Sequence, residues 1–337
     1  MAAVRTEVTE IVTGLAMLGY RDLDEALLVR PRSVVNVTDQ HFERLLAARH
    51  AGTHDREFAI AWDNGHVFSR SEDGLRGRPP WNVEWKGPHR PPGYEQVPAD
   101  LRIDHVYLVS CKYGSSILHN AGPAHLFERS LAEKRVERGH DWFVSTAPEA
   151  YQEFYQACVT AAEVDDMPDS VLGLEKEHRL RLKAALPKRG RLPDKAQRLY
   201  QDFSLAVARE SAERWLANLG TKARREDMLW RLLRLQAAPY FVLGATTAGQ
   251  PLRYRVGTPW DFRNGFEVRA FDVWPDAAGQ PMVKWRAEVT NRASAERTAV
   301  DGHVEIRWTH GRFSGAPEAK VHLDTHPHNV AGYFPLQ

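Results

Sequence analysis

The stretch PADLRIDHVYLVSCKYGS, residues 98–115, sets two aspartates a few residues ahead of an apolar run that closes on Ser110-Cys111-Lys112. His105 to Cys111 is the strongest central strand in the first half of the chain, and a buried strand that ends on a lysine needs a reason. Residues two apart on a strand share a face, so Ser110 and Lys112 point one way and Cys111 the other. One reason is catalytic, with oxygen ligands near position 100 meeting an ammonium at 112. The other is ordinary: a strand-end lysine snorkelling to solvent, with Asp100 and Asp104 as turn residues.

Upstream of this strand, Val8, Ile11, Val12, Leu15 and Leu18 recur at helical spacing, so the first segment is an amphipathic helix that packs. A second helix starts after the cap Thr38, carries Phe42, Leu45 and Leu46 on one face with Glu43 beside it, and stops near Gly52. In EFAIAWDNGHVFS, Phe58, Ile60 and Trp62 alternate with small residues and Asp63-Asn64-Gly65 is good turn chemistry, which predicts a hairpin. From Arg70 to Pro98, Gly, Pro and Trp predict a long surface loop with a short strand around Val83.

Downstream, Pro123 opens the helix PAHLFERSLAEKRV, with Leu126, Phe127 and Leu131 inward, and DWFVST reads as a short strand. Pro148 to about Gln236 is almost wholly helical, with apolar residues three or four apart. From Pro239, YFVLGATT, LRYRVG, FEVRAFDVW, MVKWRAEVT, HVEIRW and AKVHL are short alternating strands of an antiparallel sheet. The expected fold is therefore α+β, with a mixed α/β core over 1–145, a helical region over 146–238 and a β-rich region over 239–337.

The chain's 337 residues suffice for two domains, and 26% charged and 43% apolar residues make a globular composition. A net charge of +1 means that any attraction to phosphate must be local. Two cysteines, Cys111 and Cys158, cannot form a disulfide framework, and the first twenty residues lack the apolar core of a signal peptide or a membrane span. A cytoplasmic, non-membrane protein is expected. No phosphate-cradling glycine loop, dinucleotide fingerprint or Gly-x-Ser-x-Gly elbow is present.

The order helix, hairpin, loop, lysine-ending strand and helix, over about residues 38–140, resembles the PD-(D/E)xK nuclease superfamily. That family sets an Asp after a Pro-containing turn and an acidic-x-Lys triplet on the next strand. Here Pro98-Ala99-Asp100 supplies the first half and Ser110-Cys111-Lys112 the second, with Ser110 where the second acid normally sits. The resemblance implies a Mg²⁺- or Mn²⁺-dependent endonuclease that hydrolyses nucleic acid, DNA ahead of RNA, in restriction or host defence. A homodimer or partner proteins of a multi-component system would suit that role. Asp100 would bind metal, Asp104, Glu57, Glu84 or Glu43 would complete the shell, and Lys112 would act on water and phosphate. Ser110 would hold a metal-bound water, or mark a site that binds without cutting. The chemistry is consistent: a hard cation takes oxygen ligands and keeps several waters, and an adjacent ammonium orients the attacking water and offsets phosphate charge.

Arg76, Arg78, Trp81, Trp85 and Lys86 in the long loop are candidates to stack on bases or grip the backbone. Between Lys176 and Arg198 nine Lys or Arg stand against two acids, with Lys188, Arg189 and Arg191 at the centre, and Lys222, Arg224 and Arg225 follow. A solvated helix face is the plain alternative. A second triplet, Glu318-Ala319-Lys320 with Asp301 and Glu305 upstream, fits an exposed strand face better than a site, since no helix follows. Cys111, His119 and His125, or His322, His326 and His328, suggest zinc, but neither set has good ligand spacing. Cys111 as a nucleophile, with His105 or His119 as base, competes with a buried strand cysteine. A non-catalytic interaction protein using Trp260, Trp274, Trp285 and Trp308, and a hydrolase of a smaller phosphoester, are the other functions to weigh.

Overall fold

The computed structural model describes residues 2–87, 99–114, 116–131, 141–187, 191–276 and 279–337. The fold is α+β, in two compact units that are each discontinuous in sequence. Unit 1 takes residues 1–116, 235–265 and 326–337, and unit 2 takes 117–234 and 266–325. The consecutive segments 1–145, 146–238 and 239–337 do not coincide with these units. The chain leaves unit 1 directly after the Lys112 strand and returns at 235 to supply that strand's parallel neighbour. Parallel strands need a long crossover, and here the crossover carries most of a second unit.

Unit 1 opens with α1 (Ala2–Leu15), α2 (Leu23–Val29), β1 (Val34–Val35), α3 (Asp39–His50), α4 (Asp55–Arg70), β2 (Val83–Trp85), β3 (Leu101–Ile103) and β4 (Tyr107–Tyr113). The chain then builds β5 (Ile117–Ala121), α5 (Pro123–Phe127), α6 (Trp142–Thr146), α7 (Pro148–Ala162), α8 (Lys176–Ala185), α9 (Asp194–Asn218) and α10 (Lys222–Leu232) in unit 2. It re-enters unit 1 for β6 (Tyr240–Ala245), β7 (Pro251–Val256) and α11 (Pro259–Gly265). Unit 2 then gains β8 (Phe266–Asp276), β9 (Met282–Asn291), β10 (Arg297–Arg307) and β11 (Glu318–Leu323), and unit 1 receives β12 (Tyr333–Pro335).

The sheet of unit 1 runs β1-β2-β3-β4-β6-β7-β12. β3 is antiparallel to β2 and β4, whereas β4 and β6 are parallel, in register from Val109↔Phe241 to Tyr113↔Ala245. Thus YFVLGATT and LRYRVG, expected in a C-terminal antiparallel sheet, belong to the sheet of the Lys112 strand. Leu101, Ile103, Val109, Phe241 and Leu243 form one core with Ile11, Leu15, Phe42, Leu45, Phe58 and Phe68 of the helices.

Residues 57–69 are helical, where a hairpin was expected. The buried positions are Phe58, Ala61, Asn64, Gly65 and Phe68, whose spacing follows the helical period and not the strand period of two. Asp63-Asn64-Gly65 therefore sits inside α4, and the buried Asn64 and Gly65 each have a packing reason. Asn64 Nδ2 donates to Tyr113 Oη and to the Gly244 carbonyl, both at 3.1 Å, while its Oδ1 accepts from Arg253 Nε at 2.7 Å. At Gly65 the helix presses on α1 so closely that a Cβ would lie 2.2 Å from the Thr13 carbonyl oxygen.

The sheet of unit 2 runs β5-β11-β10-β9-β8 and buries Phe271, Val283, Trp285, Val304 and Val321 on one face. Trp215 of α9 meets Phe271 at 6.0 Å on that side. Residues 142–146, expected as a strand, form α6 instead, because Asp141 caps the Phe143 amide at 3.1 Å and both Trp142 and Phe143 are buried. The helix opened by Pro123 ends at Phe127. Trp285 fills the core and Trp308 packs on Phe143 at 4.6 Å, which removes two tryptophans from an interaction surface; Trp260 and Trp274 are exposed. Among the described residues no helix is long and apolar enough to cross a membrane.

Two outcomes follow from this packing. Gly65→Ala places its methyl against a backbone oxygen, so the urea midpoint should fall by the equivalent of about 1–3 kcal/mol. Helix α3 is capped by a box in which the Thr38 amide donates to His41 Nδ1 at 3.0 Å, with the His41 ring edge-on to Trp85, and burial holds the imidazole below its ordinary range. The unfolded chain therefore takes up this proton first as pH falls through about 6.5, so stability declines on the acid side of neutrality. His41→Gln retains an acceptor for the cap without a titration, and should flatten part of that decline in thermal melts.

Candidate functional site

Across β3 and β4, Leu101 pairs with Val109 and Arg102 with Leu108, which brings Asp100 level with Ser110. Asp100 Oδ2 accepts from the Cys111 amide at 2.7 Å and from Ser110 Oγ at 3.3 Å, prolonging the ladder through a side chain. Its other oxygen, Oδ1, has no hydrogen-bond partner among the described residues. Tyr113 points to the helices, with its hydroxyl 3.2 Å from Thr13 Oγ1 and 3.1 Å from Asn64 Nδ2. By alternation Ser110 and Lys112 belong to the opposite face. Ser110 is buried, and Asp100 and Lys112 are half-buried. Val83 and Trp85 are core residues, so Glu84 shares the face of Ser110, ion-paired to Arg102 on β3. Glu84 stands diagonally to Asp100, a separation of about 7–8 Å that long side chains can span.

The other acids expected at a metal do not come here. Asp104 and His105 have φ of 48° and 59°, and the Val106 amide returns to the Ile103 carbonyl at 3.0 Å, so they form the tight turn between β3 and β4. The buried Asp104 carboxylate takes the Trp81 and Asn82 amides at 2.9 and 3.1 Å and the Arg78 guanidinium at 2.5 Å. It lies at the far end of β3 from Asp100, about 13 Å along extended chain, and its oxygens are already engaged. Glu57 pairs with Arg5 at 3.0 Å, and the exposed Glu43 lies 3.8 Å from Arg30. Both sit on helices whose apolar residues cover the opposite face of the sheet.

Among the nucleic-acid candidates, Trp85 is a core residue whose Nε1 donates to Glu10 at 2.7 Å, so it is no stacking platform. Arg78 is committed to Asp104, and Arg76 Nε donates to the Glu72 carbonyl at 2.7 Å. Trp81 is 63% exposed with its ring edge-on to His105, and the half-buried Lys86 donates its amide to the Asp100 carbonyl at 2.9 Å. Lys188 and Arg189 lie outside the described residues. The exposed Arg191 pairs with Asp194 at 2.9 Å. Within the basic run, Arg179 and Arg181 donate to carbonyls at Leu174, Phe313, Asp165 and Asp166, tying down loops.

Burial, reinforced by Asp100 and Glu10, pushes the Cys111 thiol well above its ordinary range, and burial pushes Cys158 up to about 12. Neither is a ready thiolate at neutral pH. His105 belongs to the β3–β4 turn, and His119 and His125 belong to unit 2, as does His322, whereas His326 and His328 belong to unit 1. Instead, the described residues gather one set of three metal-competent side chains, His303, Glu305 and His322 on β10 and β11. Desolvation lowers the His322 pKa, which favours the neutral ring over the charged one. The signal in the sequence was His303-x-Glu305, two ligand types on one strand face, but His322 joins them only once β10 pairs with β11. Lys320, from the second acidic-x-Lys triplet, stands opposite Glu305 on this ladder, 3.9 Å from Glu318.

Comparisons with family models, with curated proteins and with solved structures give no match.

Asp104 and Asp100 should separate experimentally. Asp104→Ala leaves Arg78 and two amides without their acceptor and should lower the unfolding free energy by about 1–3 kcal/mol in urea titrations.

Proposed function

We propose that the chain is a metal-dependent phosphodiester hydrolase acting on nucleic acid, with DNA ahead of RNA. The observation that carries the reading is the Asp100 carboxylate held beside Ser110 and the Cys111 amide, on the strand that presents Lys112 two residues further along the same face. Mg²⁺ or Mn²⁺ takes oxygen ligands, keeps several waters and is commonly held by one or two carboxylates plus substrate phosphate. Asp100, with Oδ1 available, and Glu84, once Arg102 yields, fit that donor set better than Asp104, Glu57 or Glu43. When bound, the ion would polarise the phosphate and lower the pKa of a coordinated water.

The chain's own residues supply the rest. Asp100 is fixed by two hydrogen bonds, so little ordering entropy remains to be lost when it ligates. Ser110, in the position of an acid, contributes a hydroxyl able to donate to Asp100 and accept from water. Lys112 brings a positive charge to the scissile phosphate and orients the attacking water. Lys86 supplies a cation level with Asp100, and Trp81, at the Asp104 end of the strands, a stacking face further along a bound strand. Arg102, now paired with Glu84, can turn to the phosphate when the carboxylate turns to metal.

The test is cleavage of plasmid, single-stranded DNA and RNA with Mg²⁺, Mn²⁺ or chelator. Chelator should abolish cutting, and Asp100→Asn, Glu84→Gln and Lys112→Ala should each lower it by about 10²-fold or more while melting like the parent. Cutting that survives Asp100→Asn and Lys112→Ala, or its absence in the parent with every metal, would remove this reading.

A further inference from the structure

The polar face of the unit 2 sheet carries chemistry that the proposed activity does not use. His303 and Glu305 share a face of β10, and His322 stands directly across the ladder from His303 on β11. One ligand atom from each lies within 4.8 Å of the others. The two imidazoles are stacked, with centroids 4.6 Å apart and planes 3° from parallel, and His322 Nε2 is 3.4 Å from Glu305 Oε2. Asp324 then sets the tautomer: its two carboxylate oxygens lie 2.8 and 2.9 Å from His303 Nδ1. With the proton on Nδ1 facing that carboxylate, Nε2 keeps its lone pair for a ligand.

We propose that His303, Glu305 and His322 bind a borderline divalent transition-metal ion, with Zn²⁺ as the representative, and that Asp324 positions His303 for it. Two imidazoles select such an ion over Mg²⁺, and three protein ligands leave a coordination position open to water or a small anion. Bonds of about 2.0–2.1 Å require ligand atoms about 3.3 Å apart. The three groups therefore have to close by an ångström or so, within the reach of small side-chain rotations. Their side chains are 12–19% exposed, but Glu305 Oε2 and His322 Nε2 themselves are out of solvent, so an ion enters only as these side chains turn. Two cations oppose a bare ion here: Arg307, 3.2 Å from Glu305, and Lys320 opposite it. Arg307 is 40% exposed and can swing into solvent. Lys284, opposite His303 on β9, is already neutralised by Asp276 at 2.6 Å.

This site lies wholly within unit 2 and does not rest on the nuclease reading. The full chain carrying Asp100→Asn, stripped with chelator, is titrated with Zn²⁺ against a chromophoric chelator. One equivalent should bind, Co²⁺ should give visible ligand-field bands, and Zn²⁺ should raise the melting temperature. Glu305→Gln and His322→Gln should each remove stoichiometric binding. Asp324→Asn should weaken it about 10–100-fold, with circular dichroism and the zinc-free melt unchanged. Should His322→Gln unfold, Glu305→Gln decides the matter alone. No stoichiometric uptake by the parent, or uptake unaffected by Glu305→Gln in a folded protein, overturns the proposal.

Discussion

Unit 1 depends on the parallel pairing of β4 with β6, two strands separated by a long excursion of the chain. Such a pairing has no local turn to set its register, so the register is fixed sideways. The buried amide of Asn64 does this, because it reaches the Tyr113 hydroxyl on β4, the Gly244 carbonyl on β6 and the Arg253 guanidinium on β7 together. A slip of one residue would turn all three contacts away and leave polar groups buried without partners. Gly244 adds a steric constraint: a Cβ there would stand 1.7 Å from the Lys112 carbonyl oxygen. The backbone that presents Lys112 is thus positioned by a network on the helix side of the sheet.

Much of the fold was legible where one periodicity ruled alone. The α1 helix, the α3 helix with its Thr38 cap, the β4 strand and the helical stretch after Pro148 are all present, because their apolar spacing allows one secondary structure. The segment 57–69 misled because both periods were available and Asp-Asn-Gly has strong turn chemistry. Its helix is decided by tertiary packing, with Gly65 admitting α1 and Asn64 buried in a satisfied network. The interleaved units were invisible for a different reason. A strand's sequence shows that it will pair, and says little about its partner.

The site divides in the same way. That Ser110 and Lys112 share a face, and that Asp100 comes up beside Ser110, follows from alternation and an antiparallel neighbour. Which acid accompanies Asp100 could not be read, since Asp104, Glu57, Glu43 and Glu84 all sit on elements or turns that precede β4 and spacing does not rank them. Asp104 is diverted into a turn where it clasps Arg78 and two amides, and the helical glutamates fall on the far side of the sheet. Glu84 alone among them lies on the face of Lys112. The stacked histidines of β10 and β11 needed a ladder register that no spacing in the sequence encodes.

The interleaving of the two units has a consequence for biosynthesis. When β4 leaves the ribosome, its edge toward β6 is a row of unsatisfied amides and carbonyls flanked by apolar side chains. It stays so until residue 245 has been made, a wait on the order of ten seconds. During that interval the nascent chain offers an open template for strand addition.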